Sequence, residues 1–201
     1  MGNIIFALGI TITIKVQHLG LHPWDVLSVG LYEKFGLSIG SWNIIVGILL
    51  VSVSLILDRT YVRVGTLFNV ILIGSLIDLY LWLDFLPNPT YTWLDSITII
   101  IGIVIMGIGG GIYNGAGIGS GPRDGFMLSI SDKTGISIGK VRIITETLVL
   151  VIGWLIGGPV FIFTFIFTFI QSPIFQYVYL KLVKYLEEIE MKHKGKRSKA
   201  I

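Results

Sequence analysis

Six apolar segments joined by short polar connections restrict this chain to one kind of solvent. They are Asn3–Val16, Trp42–Leu57, Val64–Leu83, Trp93–Tyr113, Ile138–Ile156 and Pro159–Leu180. A spanning helix needs about 20 mostly apolar residues, and in lipid only a helix or a closed barrel satisfies its own backbone. Composition agrees: 53% of the 201 residues are hydrophobic and 13% charged, where a soluble domain carries about 25% charged residues. The expectation is an all-α polytopic membrane protein with six transmembrane helices and no separate soluble domain. Cysteine is absent, which removes a disulfide framework and any Cys metal site. Met1–Ile14 has neither a basic n-region nor a small-residue cleavage site, so a removed signal peptide is not expected.

The chain also repeats itself. Residues 20–45 recur at 119–144, with 10 identities in 26 aligned positions, where chance gives roughly 2. Gly20, Pro23, Asp25, Lys34, Gly36, Ser38, Ile39, Gly40, Ile44 and Ile45 each find the same residue 99 positions on. The units divide as residues 1–83, residues 84–186 and a basic tail, 187–201. Thr92–Ile99 has no counterpart in the first unit, so helix 1 is short or the chain begins upstream.

Each unit holds a segment too short to span, Pro23–Phe35 and Pro122–Thr134. Pro suits the first helical position, an acid two residues later meets the positive end of the helix dipole, and Gly36 or Gly135 supplies the stop. These read as half-helices, re-entrant or near an interface. The glycine-rich backbone before them, His18–His22 and Gly107–Gly121, must be covered by protein or line a wet cavity. With the N-terminus inside, 13 of the 15 Lys and Arg fall on the inner side and only Lys15 and Lys34 on the outer, a strong positive-inside bias. Three spans per unit is an odd number, so the units are expected to be inverted-topology repeats.

The run Gly20–Leu31 (GLHPWDVLSVGL), with Gly36–Gly47 (GLSIGSWNIIVG) and Val64–Asp78 (VGTLFNVILIGSLID), resembles the YitT/YczE-type family of bacterial integral membrane proteins. The similarity covers roughly residues 5–180. It implies a small polytopic protein of the bacterial cytoplasmic membrane and no particular activity, so no catalytic residue is carried over. The second unit departs from the first at Val160–Phe169 (VFIFTFIFTF), where a Gly-Thr-x-x-[NS] pattern is expected.

Ionisable residues in spanning segments cost about 2.5–3.5 kcal/mol at the helix centre and usually face the protein interior. Asp25 and Asp124 hold matched places in the half-helices: either they cap them, or the two starts converge on a polar site near the repeat axis. Arg123, where the first unit has Trp24, favours an anionic group beside a helix start, unless it pairs with Asp124 or reaches the inner surface. Arg142 and Glu146 are four apart, one helical face, the spacing of an internal ion pair. Asp78 matches Gln176 with a one-residue shift and lies near an outer helix end. Asn69 and Gln171 are mid-helix and suit helix–helix bonds; Asn114 suits a cap. His18 and His22 are four apart but span Leu-Gly-Leu, and no His-Glu-x-x-His or Cys cluster supports a metal. Catalytic residues and cofactors are not expected.

The ligand-binding set is therefore Asp25, Asp124, Arg123, Trp24, Glu146, Arg142, Asn69, Asp78 and Gln171. The leading expectation is a small-solute or ion transporter with its site at the repeat interface. The alternative is a non-transporting partner or regulator of another membrane complex. The partners that follow are membrane lipids, a small-molecule or anionic solute, and a homodimer mate or complex subunit, with no nucleic acid. Function is sought first where the repeat breaks: Trp24 against Arg123, Gly47 against Glu146, and the Phe-rich sixth helix.

Overall fold

The computed structural model describes residues 1–117 and 119–198, and among them there are helices and no strands. The helices are α1 (Gly2–Lys15), α2 (Pro23–Phe35), α3 (Ile39–Leu57), α4 (Val64–Leu83), α5 (Trp93–Gly115), α6 (Pro122–Thr134), α7 (Ile138–Leu155) and α8 (Ile162–Ser198). The two short helices occupy the residues expected of them. Both open on Pro and close on a left-handed glycine, Gly36 at φ 73° and Gly135 at φ 70°. A side chain at either stop would be strained. Ser38 caps α3 by accepting from the Ser41 amide at 3.0 Å.

Four helices, α3, α4, α5 and the Ile162–Ile189 part of α8, are long and apolar enough to cross a membrane. Six were expected. α1 has only 14 residues, and α7 carries Lys140, Arg142 and Glu146 among its 18. The sixth apolar segment ends at Leu180, yet its helix runs on to Ser198. Lys184–Glu188 is spaced to stabilise that extension at i, i+4. Of the expected basic tail over 187–201, residues 187–198 continue the helix and the last three lie outside the described residues. Gly107–Gly115, expected in part as irregular chain, is the last third of α5.

Those glycines have a packing reason. α1 and α5 lie antiparallel at contact distance: a Cβ on Gly109 would fall 2.4 Å from the Phe6 amide nitrogen, and one on Gly9 would fall 2.8 Å from the Gly102 carbonyl. Without a hydrophobic drive between helices in lipid, such close backbone approach is what holds them. α4 lies on α1 and α8 on α5, while the short helices cross over, α2 packing on α7 and α6 on α3. Ile10, Leu21, Val26, Ile77, Ile99, Ile103, Met106 and Phe167 form the central core. The outer surface is also apolar, with Ile56 84%, Phe169 79% and Leu155 73% exposed, as befits a lipid-facing wall.

One seam has no counterpart. α3 closes on α4 so tightly that a Cβ on Gly40 would lie 2.1 Å from the Gly74 carbonyl, and Gly47 receives Val70. At the matched places of the second unit stand Gly139, which has nothing within 4 Å, then Pro173 and Glu146. Among the described residues α7 forms no such seam with α8.

Polar contacts fasten the two ends. On one side Lys15 pairs with Asp84. Nearby, Asp95 accepts from the Thr90 and Tyr91 amides at 2.9 and 2.8 Å and lies 3.2 Å from His18 Nε2. On the other side Tyr61 donates to Asp132, which pushes the phenol above its ordinary pKa, and Thr60 bonding to Asp58 holds that carboxyl below its own.

Candidate functional site

The starts of α2 and α6 meet inside the molecule. Arg123, the second residue of α6, donates from its guanidinium to Asp25 Oδ1 of α2 at 3.1 Å. Its guanidinium also sits 5.4 Å from the Trp24 ring centre, within cation–π range. Asp124 accepts from Arg142 of α7 at 3.0 Å. Two ion pairs thus tie α2 to α6 and α6 to α7, and each acid also lies in the first turn of its short helix, where the dipole favours a negative charge.

Beside these pairs lies a cavity of about 360 Å³. Its walls come from all eight helices: Asn3 and Phe6 of α1, Trp24 and Ser28 of α2, Asn43 and Gly47 of α3, Asn69 and Val70 of α4, Tyr113 and Asn114 of α5, Arg123 and Asp124 of α6, Arg142 and Glu146 of α7, and Gln171, Phe175, Gln176 and Tyr179 of α8. The wall is mainly apolar with a few convergent polar groups, the composition of small-molecule sites generally. Asn69 donates to Asn3 Oδ1 at 3.0 Å across the α1–α4 contact.

The expected residues divide as follows. Trp24, Asn69, Arg123, Asp124, Arg142, Glu146 and Gln171 line the cavity. Asp25 is buried behind it and reaches it through Arg123. Asp78 is elsewhere: it accepts from Ser38 Oγ at 2.5 Å and from the Gly40 amide at 2.8 Å, fixing the end of α4 to the start of α3. The i, i+4 pairing of Arg142 with Glu146 does not form. Arg142 reaches out to Asp124 instead, so Glu146 keeps no ion pair or hydrogen bond among the described residues. Nor does Arg123 pair with its neighbour Asp124 or reach the surface, because Asp25 opposite holds it. Asn114 is no cap; it lies within α5 and donates to the Gly110 carbonyl at 3.1 Å.

Among the described residues three buried polar atoms here have no partner: Trp24 Nε1, His22 Nδ1 and Asp25 Oδ2. Trp24 and His22 both line the cavity, and the His22 ring meets the edge of Phe167 at 5.2 Å. His18 lies apart with Asp95, so the two histidines share no site. Among the described residues no three of His, Asp or Glu converge on a point that would hold a metal ion. Asn3, Asn43 and Tyr113 were missed by sequence reading. Asn43 was findable, since it is the repeat counterpart of Arg142. Asn3 and Tyr113 carry no such signal.

The described residues are helical, with four apolar helices of spanning length, an apolar outer wall and an interior cavity that holds a few polar groups, and this makes the chain an integral membrane protein. The model of the family described as "Family of unknown function (DUF6198)" matches residues 1–179, and the chain belongs to that family. It is 39% identical over 160 residues to the "Uncharacterized membrane protein YczE" of Bacillus subtilis, covering 79% of this chain and 73% of that protein. The "Uncharacterized protein YyaS" of the same organism is 34% identical over 165 residues, 80% of each chain. A Haemophilus influenzae "Uncharacterized protein" is 33% identical over 178 residues, 88% of this chain and 79% of that one. The chain is thus a YczE-type membrane protein. No solved structure matches it.

Proposed function

We propose that this protein is a small-solute carrier of the bacterial cytoplasmic membrane and that the cavity between the α2 and α6 starts is its binding site. The observation that carries the reading is the Asp25–Arg123 pair, which joins the two short helices at the edge of a cavity inside a lipid-facing shell. Broken helices meeting at a repeat interface are how many secondary transporters build their sites. In this reading α1 and α7 are the fifth and sixth spans, and α2 and α6 are re-entrant halves of two inverted repeats. The crossed packing of α2 on α7 and α6 on α3 supports that arrangement.

In this reading both termini are cytoplasmic, which the bias of Lys and Arg supports. The cavity walls then belong mostly to the inner halves of their helices: the start of α1, the end of α5 and the start of α7. The state is inward-facing, with α7 and α8 apart where α3 and α4 are closed. Movement of α7 onto α8 would close this side, and parting of α3 from α4 would open the other. Purified protein in liposomes, screened with solutes and ions, tests the reading. Flux that falls in Asp25→Asn and Asp124→Asn variants that still insert is expected. No flux across the screen, together with co-purification of a defined partner, would replace the carrier by a subunit or regulator.

A further inference from the structure

We infer that the cavity takes a small organic cation, an ammonium compound, and that Glu146 is the group that receives its charge. The inference rests on the cavity being the solute site. Arg123 and Arg142 first suggest an anion, but neither is free. Arg123 is held by Asp25 and the Trp24 face, and Arg142 by Asp124. Each guanidinium charge is already compensated by a carboxylate, Arg123 in the buried pair with Asp25 and Arg142 in the half-exposed pair with Asp124, so an anion meets no uncompensated positive charge here. Glu146 is the opposite case: half-buried on the cavity wall, with no hydrogen bond or ion pair among the described residues. Counting formal charges, two arginines face three carboxylates, Asp25, Asp124 and Glu146, so the site is one positive charge short of neutral. At membrane depth that deficit is costly; a proton on Glu146 removes it while the cavity is empty, and a bound monovalent cation takes the proton's place.

A second observation is independent of charge. Trp24, 2% exposed, and His22, 8% exposed, both line the cavity, and among the described residues each has a buried ring nitrogen without a partner. Buried polar groups normally find partners, and the indole N–H can only donate. An oxygen acceptor on the ligand would satisfy the indole once a small ring rotation turns its N–H to the cavity. The aromatic residues Tyr113 and Phe175 also line the cavity, a residue type that suits an ammonium group.

The test compares three matched probes on full-length protein in nanodiscs by calorimetry. They are choline, its neutral isostere with a tert-butyl group in place of trimethylammonium, and isethionate, which carries a sulfonate on the same hydroxyethyl stem. Choline is expected to bind most tightly. Glu146→Gln should weaken it about tenfold or more, Glu146→Asp should retain most of the binding, and exposed Glu33→Gln should change nothing. Monodispersity of each variant guards against misfolding. Equal binding by Glu146→Gln, tighter binding of either other probe, or no choline binding overturns the assignment. Choline binding that depends on Glu146 without any flux would end the carrier reading and leave the cation assignment standing, whereas isethionate flux without choline binding would do the reverse.

Discussion

Asp25 and Asp124 are the same residue of the repeat, but their surroundings make them unequal. The side chain of Asp25 is 1% exposed and that of its partner Arg123 21%, whereas Asp124 and Arg142 are 33% and 39% exposed. Removing one member of a buried pair strands the other and costs about 3–5 kcal/mol, while a solvent-screened pair is worth about 0–1 kcal/mol. Asp25→Asn should therefore lower thermal stability in detergent far more than Asp124→Asn, and adding Arg123→Gln should restore most of the loss. Equal losses for the two single variants would mean that the pairs are buried alike. The matched acids were legible from the repeat, but their partners were not. Arg123 sits next to Asp124 in sequence and Arg142 one turn from Glu146, so local spacing favours two pairings that tertiary contacts override.

Among the helices, the contrast between the α3–α4 seam and the parted α7 and α8 is the clearest departure from symmetry. It has a physical cause in three matched positions. Gly40, Gly47 and Gly74 let two backbones touch, while Gly139, Glu146 and Pro173 replace that contact with open space, a charge and a lost amide. Gly40→Ala should destabilise by about 1–3 kcal/mol, since its Cβ would meet backbone that cannot yield. Gly139→Ala has nothing to strike and should stay within about 0.5 kcal/mol of the parent, or gain slightly from helix propensity. Thermal unfolding of both variants checks this; a larger loss at Gly139 would mean that α7 and α8 do close in the dominant state. The substitution of Glu for Gly at 146 was visible as a break in the repeat. That the break opens a gap was not, because a string comparison carries no distance between helices.

For the whole molecule, two expectations concern sidedness. A topology reporter fused at Asn88 should read outside and one at Ser198 inside; the reverse result would overturn the charge-based orientation. Since the chain has no cysteine, Gln176→Cys gives a single label on the cavity wall. A membrane-impermeant maleimide should reach it in inside-out vesicles and not in right-side-out ones, and labelling from the outer face alone would contradict an inward-facing state.

The sequence by itself determined the solvent of this protein, the number and places of its short helices and the residues on which its two units differ. Those properties follow from local rules: apolar length, Pro and Gly punctuation, and identity at a fixed offset. Tertiary packing was needed to show which charges neutralise one another, that Asp78 joins two helix ends away from the cavity, and that Glu146 has no ion pair among the described residues. Charge pairing depends on distances between separate helices, 98 residues apart in the chain for Asp25 and Arg123 and 18 for Asp124 and Arg142, and only the packing of α2 and α6 among the long helices sets those distances.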